Sequence, residues 1–178
     1  MYYVVQVKTG NEDKVIDEIK KQKRASVVFD AFAPQRKAKR KYKGEWKEII
    51  ERCFPGYVFV ETDQPTKLFR DLYWIPEFTR MLGRESTNNE NFVPLSESES
   101  RMVDILYGKR SNRVTDLSRV EIEEGDVVRI LDGPLRDLET TIKKVNLHKR
   151  KVTIEVTICN VPMEVEVGID IVARANKL

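Results

Sequence analysis

The chain has 178 residues, with 32 Lys/Arg against 29 Asp/Glu, a formal net charge of +3 and 40% hydrophobic residues, which allows one large domain or two small ones with ordinary cores. No apolar run is long enough to cross a membrane, and the Met1–Val5 start lacks the basic segment and cleavage site of a secretory signal, so a cytoplasmic protein is expected. Cys53 and Cys159 lie far apart, form no Cys-x-x-Cys pair and read as reduced thiols.

Tyr2 to Val7 is a compact apolar run and reads as a buried strand. Asn11 then caps a helix with Glu12 and Asp13 in its first turn, Val15, Ile16 and Ile19 on one face, and Lys20, Lys21, Lys23 and Arg24 at its end. A second strand is expected around Val27–Ala33. The run from Gln35 to Trp46 reads as an extended basic hairpin with its tip at Lys43-Gly44-Glu45 and a return arm over Lys47–Cys53. Phe54-Pro55-Gly56 is a tight turn, and Tyr57–Glu61 is a strand of alternating aromatic and β-branched residues. Pro65 opens a helix whose inner face holds Leu68, Phe69 and Leu72. Thr79–Leu82 reads as a short strand, Gly83–Phe92 as a polar loop, and Ser96-Glu97-Ser98-Glu99 as a capping box that starts a helix through Tyr107.

Gly108–Arg119, poor in large apolar residues, reads as a flexible linker. Beyond it come short β runs over Gly125–Ile130, Thr140–Leu147, Lys151–Ile158 and Val161–Val167. Within them Val152, Ile154, Val156 and Ile158 alternate with Thr153, Glu155 and Thr157. The expected fold is α+β. A ferredoxin-like βαββαβ domain with a basic hairpin insertion spans residues 1–107, a linker spans 108–119, and a small SH3-like β-barrel spans 120–178.

Charge is uneven along this plan. Residues 20–52 carry twelve Lys/Arg against four Asp/Glu, which points to a surface facing a polyanion. A second cluster, Lys143, Lys144, His148, Lys149, Arg150 and Lys151, has no acid between its ends. Taken alone, either cluster reads as well as a solvated hairpin. Catalytic signals are absent: His148 is the single histidine and sits in a charged turn, and there is no zinc-ligand spacing, no Walker-type loop and no Gly-x-Gly-x-x-Gly. The expectation is a binding protein without a cofactor or a metal, and not an enzyme.

Four segments carry a family resemblance. Tyr2–Val7 followed by Gly10-Asn11-Glu12 resembles the opening of the NusG family's N-terminal (NGN) domain, and Cys53-Phe54-Pro55-Gly56-Tyr57-Val58-Phe59-Val60 resembles its Phe-Pro-Gly-Tyr signature. Pro94-Leu95-Ser96-Glu97 is similar to the start of the last helix of that domain, and Gly125–Pro134 is similar to the KOW motif of the C-terminal domain. The resemblance implies a transcription elongation and antitermination factor. Its N-terminal domain would bind RNA polymerase at the clamp helices of the largest subunit, and its basic residues would lie near upstream or non-template DNA. Its KOW domain would recruit a further partner, such as ribosomal protein S10, a termination factor or RNA. Asp137 and Thr140 stand where the general factor carries glycines, and the hairpin is densely basic. Both departures resemble a specialised paralogue of the LoaP type, more distantly RfaH, which acts on selected operons through a leader RNA hairpin.

On this reading the polymerase contact falls to Tyr3, Phe54, Pro55, Tyr57 and Phe59, with core packing as the alternative for Tyr57 and Phe59. The DNA contact falls to Arg36, Lys37, Lys39, Arg40, Lys41, Lys43 and Trp46, and the RNA contact to Lys143, Lys144, His148, Lys149, Arg150 and Lys151. The protein is expected to be a monomer with no membrane partner. Two alternatives remain: a housekeeping NusG that couples polymerase to the ribosome or to a termination factor, and a translation-associated KOW protein that binds RNA.

Overall fold

In the computed structural model, residues 1–21, 28–83 and 92–174 are described. In chain order the elements begin with β1 (Tyr2–Val7), α1 (Glu12–Lys21), β2 (Val28–Phe32), β3 (Gln35–Tyr42), β4 (Glu45–Arg52), β5 (Tyr57–Thr62), α2 (Pro65–Leu72) and β6 (Thr79–Met81). They continue with α3 (Glu97–Tyr107), β7 (Val114–Thr115), β8 (Ser118–Ile122), β9 (Val128–Asp132), β10 (Ile142–Asn146), β11 (Lys151–Ile158) and β12 (Val161–Arg174). The chain divides into two units. One holds Met1–Pro34, Phe54–Met102 and Ile158–Val161; the other holds Gln35–Cys53, Val103–Thr157 and Pro162–Leu178. Most of the loop expected over Gly83–Phe92 lies outside the described residues. No described helix is long and apolar enough to cross a membrane.

The first unit is built on a four-stranded sheet in the order β2-β5-β1-β6, with every neighbouring pair antiparallel. This is the strand order of the split βαβ arrangement. Tyr3, Val5 and Val7 of β1 join Val58 and Val60 of β5 in one cluster with Val15, Ile16 and Ile19 of α1 and Leu68 and Leu72 of α2. Each such fully buried side chain contributes about 1.5–3 kcal/mol of burial free energy. The alternate residues are buried as well. Tyr2, Phe32, Phe54 and Phe59 form a chain of ring contacts with centroids 5.7–6.2 Å apart. At α3 the capping box is formed as the sequence indicates, with Ser96 Oγ accepting from the Glu99 N–H and Glu99 Oε2 accepting from the Ser96 N–H.

The second unit corrects the expected fold. Its C-terminal strands make an open five-stranded sheet, β10-β11-β12-β8-β9, and not a closed SH3-like barrel. Closure would require β9 to pair with β10. Between them residues 133–141 fold into two consecutive 3-10 turns, Pro134–Asp137 and Glu139–Thr141, with Leu135 and Leu138 buried. The two strands are left as free edges facing a cleft of about 690 Å³ lined by Val127, Val128, Ile130, Ile142 and Val145. β8 runs parallel to β12, so the first and last strands of this half lie side by side.

The basic hairpin β3–β4 belongs to this second unit and forms a three-stranded sheet with β7. Gly168 of β12 is what lets the hairpin approach. A Cβ there would lie 2.5 Å from the Lys37 carbonyl oxygen and 2.6 Å from Leu117 Cδ2, so only glycine fits without movement.

Candidate nucleic-acid interface

Strands β3 and β4 pair without a break from Gln35↔Arg52 to Tyr42↔Glu45. The two residues between them, Lys43 and Gly44, have φ of 49° and 90°, the left-handed pair that a tight two-residue hairpin uses. The hairpin's charges divide in two. Arg36, Lys37, Lys39 and Arg40 are held by carboxylates: Arg36 by Glu51 (2.8 Å) and Glu166 (2.7 Å), Arg40 by Glu51 (2.7 Å), Lys37 by Asp116 (3.2 Å) and Lys39 by Asp170 (3.4 Å). Nearer the tip, Lys41 and Lys43 are exposed and have no carboxylate partner among the described residues. Lys43 and Lys47 both lie over the Tyr42 ring, at 5.5 and 5.1 Å.

The second basic cluster also divides. Lys143 pairs with Glu155 (3.3 Å), Lys151 with Glu166, and Arg150 with Asp170 (3.6 Å), while Lys144, His148 and Lys149 are exposed. Two candidate sets that are separate in the sequence meet here. The Arg150 guanidinium lies 4.3 Å from the centre of the Trp46 ring. Glu166 joins Arg36 of the hairpin to Lys151 at the start of β11, and Asp170 joins Lys39 to Arg150. The cleft between hairpin and turn measures about 450 Å³ and is lined by Arg36, Arg40, Lys41, Trp46, His148 and Lys149, among others. Arg36 is buried, and its Nη1 has no hydrogen-bond partner among the described residues.

Burial opposes ionisation of Glu166, but hydrogen bonds from Lys151 and Arg36 outweigh it and hold the carboxyl below its ordinary range. Cys53 is a free thiol pushed up to about 11, chiefly by burial. Cys159 is pushed up to about 11 by burial and by the nearby Glu99. Among the described residues, no group of three His, Cys, Asp or Glu side chains could hold a metal ion.

The five apolar candidates are placed unevenly. Tyr3, Phe54 and Phe59 are buried, with Phe59 at 0% exposure, whereas Pro55 is exposed and Tyr57 half-buried. The Phe-Pro-Gly turn is anchored by a residue that the sequence presents only as a helix-start acid. Glu12 is buried, and its carboxylate accepts from the Gly56 N–H at 2.7 Å and the Gly10 N–H at 2.8 Å. Glu51, Glu166, Asp170 and Gly168 are further site residues that sequence reasoning misses. Their signal is faint, because acids alternating with valines, as in Val165-Glu166-Val167, look like any half-exposed strand.

The family profile described as "Transcription termination factor nusG" matches residues 1–104. The chain is 27% identical over 184 residues to the transcription termination/antitermination protein NusG of Thermus thermophilus, covering 98% of each. It is 26% identical over 171 residues to the protein of the same name from Helicobacter pylori, covering 92% of this chain and 93% of that one. A solved structure described as "Domain interaction in Thermotoga maritima NusG" has a similar fold, with a TM-score of 0.55 and 24% identity over 94% of this chain and 92% of that one.

Proposed function

The chain belongs to the NusG family of transcription factors, and from that premise we propose that it is a general elongation and antitermination factor, not an enzyme. In this reading residues 1–107 ride on RNA polymerase, with Pro55 and Tyr57 as the accessible part of the apolar contact on the largest-subunit clamp helices. The hairpin tip, through Lys41 and Lys43, faces upstream or non-template DNA. The observation that carries the nucleic-acid part is the cleft lined by Arg36, Arg40, Lys41, Lys149 and Trp46, where cations outnumber carboxylates beside aromatic rings. The full-length likeness to NusG proteins of two bacteria supports the general factor over a specialised one.

The test is single-round transcription with bacterial polymerase on a template that holds a strong pause and a terminator. The wild-type chain changes pause lifetime or read-through. The double variant Lys41→Glu, Lys43→Glu loses that effect and its crosslinks to upstream DNA while still co-purifying with polymerase. If the variant matches wild type in both assays, the hairpin does not act on DNA.

One observation favours an operon-selective second reading. Asp137 and Thr140 sit in the two 3-10 turns that hold the C-terminal sheet open, without the positive φ that glycine would bring. A KOW domain of altered geometry fits recruitment by a leader RNA hairpin, with ribosomal protein S10 displaced as the usual partner. Read-through that depends on one leader sequence supports this reading; read-through on every template removes it.

A further inference from the structure

We propose that the hairpin β3–β4 and the turn Leu147–Arg150 are two walls of one binding site for a single-stranded phosphodiester chain, and not two separate DNA and RNA surfaces. This rests on the reading that the protein binds nucleic acid, and it changes how that binding is built. Three observations carry it. The first is the cleft itself: at about 450 Å³ it falls within the ordinary size of small-ligand pockets, which suits one or two nucleotides but not a duplex. The second is charge. Seven Lys/Arg side chains line the cleft, and three carboxylates, Glu51, Glu166 and Asp170, pair with them, a surplus of four positive charges. The third is the way Glu166 is held. One oxygen accepts from Arg36 on the hairpin wall and the other from Lys151, the residue that follows the turn, as two phosphate oxygens would. Glu166 is an internal stand-in for a phosphate, and the buried Arg36, whose Nη1 has no hydrogen-bond partner among the described residues, lines the same cleft. The Arg150 guanidinium stacked near Trp46 supplies the flat surface on which an unpaired base can lie.

The test is fluorescence anisotropy of the full chain with labelled octamers of rU and dT across a salt series. One composite site gives a stoichiometry of one. Lys41→Ala and Lys149→Ala, one on each wall, then each lower the salt slope of all the binding by about 0.7, the loss of one single-strand phosphate. Gly168→Ala, which drives a Cβ into the backbone of β3 and keeps every charge, weakens binding at least ~10-fold, or about 1.4 kcal/mol. Glu166→Gln tightens binding, because a competing anion is gone; a mere strut would weaken it. A stoichiometry of two, with each lysine variant altering only one class of site and Gly168→Ala without effect, overturns the composite site and leaves nucleic-acid binding standing. No binding to either octamer overturns both. If Gly168→Ala fails to fold by circular dichroism, the two lysine slopes still decide. The tighter of the two octamers identifies the strand as RNA or DNA.

Discussion

Glu12 is a charged side chain that the fold buries, and its two oxygens accept from the backbone of Gly10 and Gly56. Gly56 has φ of +85° and would place a Cβ 3.1 Å from Thr9 Oγ1 and 3.2 Å from the Val7 carbonyl, so the turn beside β1 needs glycine on both counts. The Phe-Pro-Gly-Tyr signature is therefore held in place by the start of α1, 44 residues away along the chain. Glu12→Ala leaves two N–H donors without their charged acceptor and should cost about 2–3 kcal/mol. Thermal denaturation should show a fall of several degrees, with a smaller fall for Glu12→Gln; an unchanged melt would mean that the carboxylate carries no load. The sequence shows an acid in the first helical turn, where it suits the dipole. It does not show the second partner, which exists only once the turn is folded against β1. The two cysteines make another residue-scale prediction. With both thiols pushed up to about 11, alkylation by iodoacetamide at pH 8 should be far slower than for a free cysteine, and should keep rising with pH until it levels off near that value. Rapid labelling of the folded chain at pH 8 would contradict it.

The elements of the N-terminal half are readable because each carries a local signal: Asn11 before α1, Pro65 at the start of α2, Ser96 and Glu99 around the start of α3, Lys43-Gly44 at the hairpin tip. In the C-terminal half the strands β9 to β12 are readable one by one, but their assembly is not. Alternation such as Val152, Ile154 and Val156 reports that a strand has a buried face and is the same in a closed barrel or an open sheet. Closure depends on how residues 133–141 turn, and there Gly133 packs so tightly on β8 that a Cβ would lie 2.7 Å from Ser118 Cα. β8 itself carries no clear signal, since Ser118-Arg119-Val120-Glu121-Ile122 has only two large apolar side chains. The strand β12 offers the element-scale prediction. Glu166 binds its proton less readily in the folded chain than its ordinary value near 4.5. Its ion pairs thus contribute stability that is present above that pH and is lost as pH falls through the lower folded value. Urea unfolding at a series of acid pH values should give a flatter acid limb for Glu166→Gln than for wild type, with the variant less stable at neutral pH. Parallel limbs would show that the pairs with Arg36 and Lys151 do not couple to folding.

At the scale of the whole molecule the net charge of +3 hides the arrangement that matters. The sequence locates two basic clusters, but their partners are distant along the chain: Glu51 lies 15 residues from Arg36, and Glu166 lies 130. Formal charge along the sequence therefore overstates what either cluster can offer a polyanion, and folding decides how much remains. In the cleft the surplus is four. If those four charges neutralise four phosphates of a single strand, the slope of log affinity against log salt is about −2.8. Affinity should then fall about 50-fold between 50 and 200 mM salt. A surplus of eight cations, as the sequence count of twelve Lys/Arg against four Asp/Glu over residues 20–52 suggests, would give a far steeper loss, and a fully neutralised hairpin would give almost none. A titration with one short oligonucleotide at four salt concentrations separates these three outcomes. A slope near zero would mean that Glu51, Glu166 and Asp170 have silenced the surface. A slope near −2.8 would mean that the fold holds part of its charge in internal ion pairs and presents the remainder to nucleic acid.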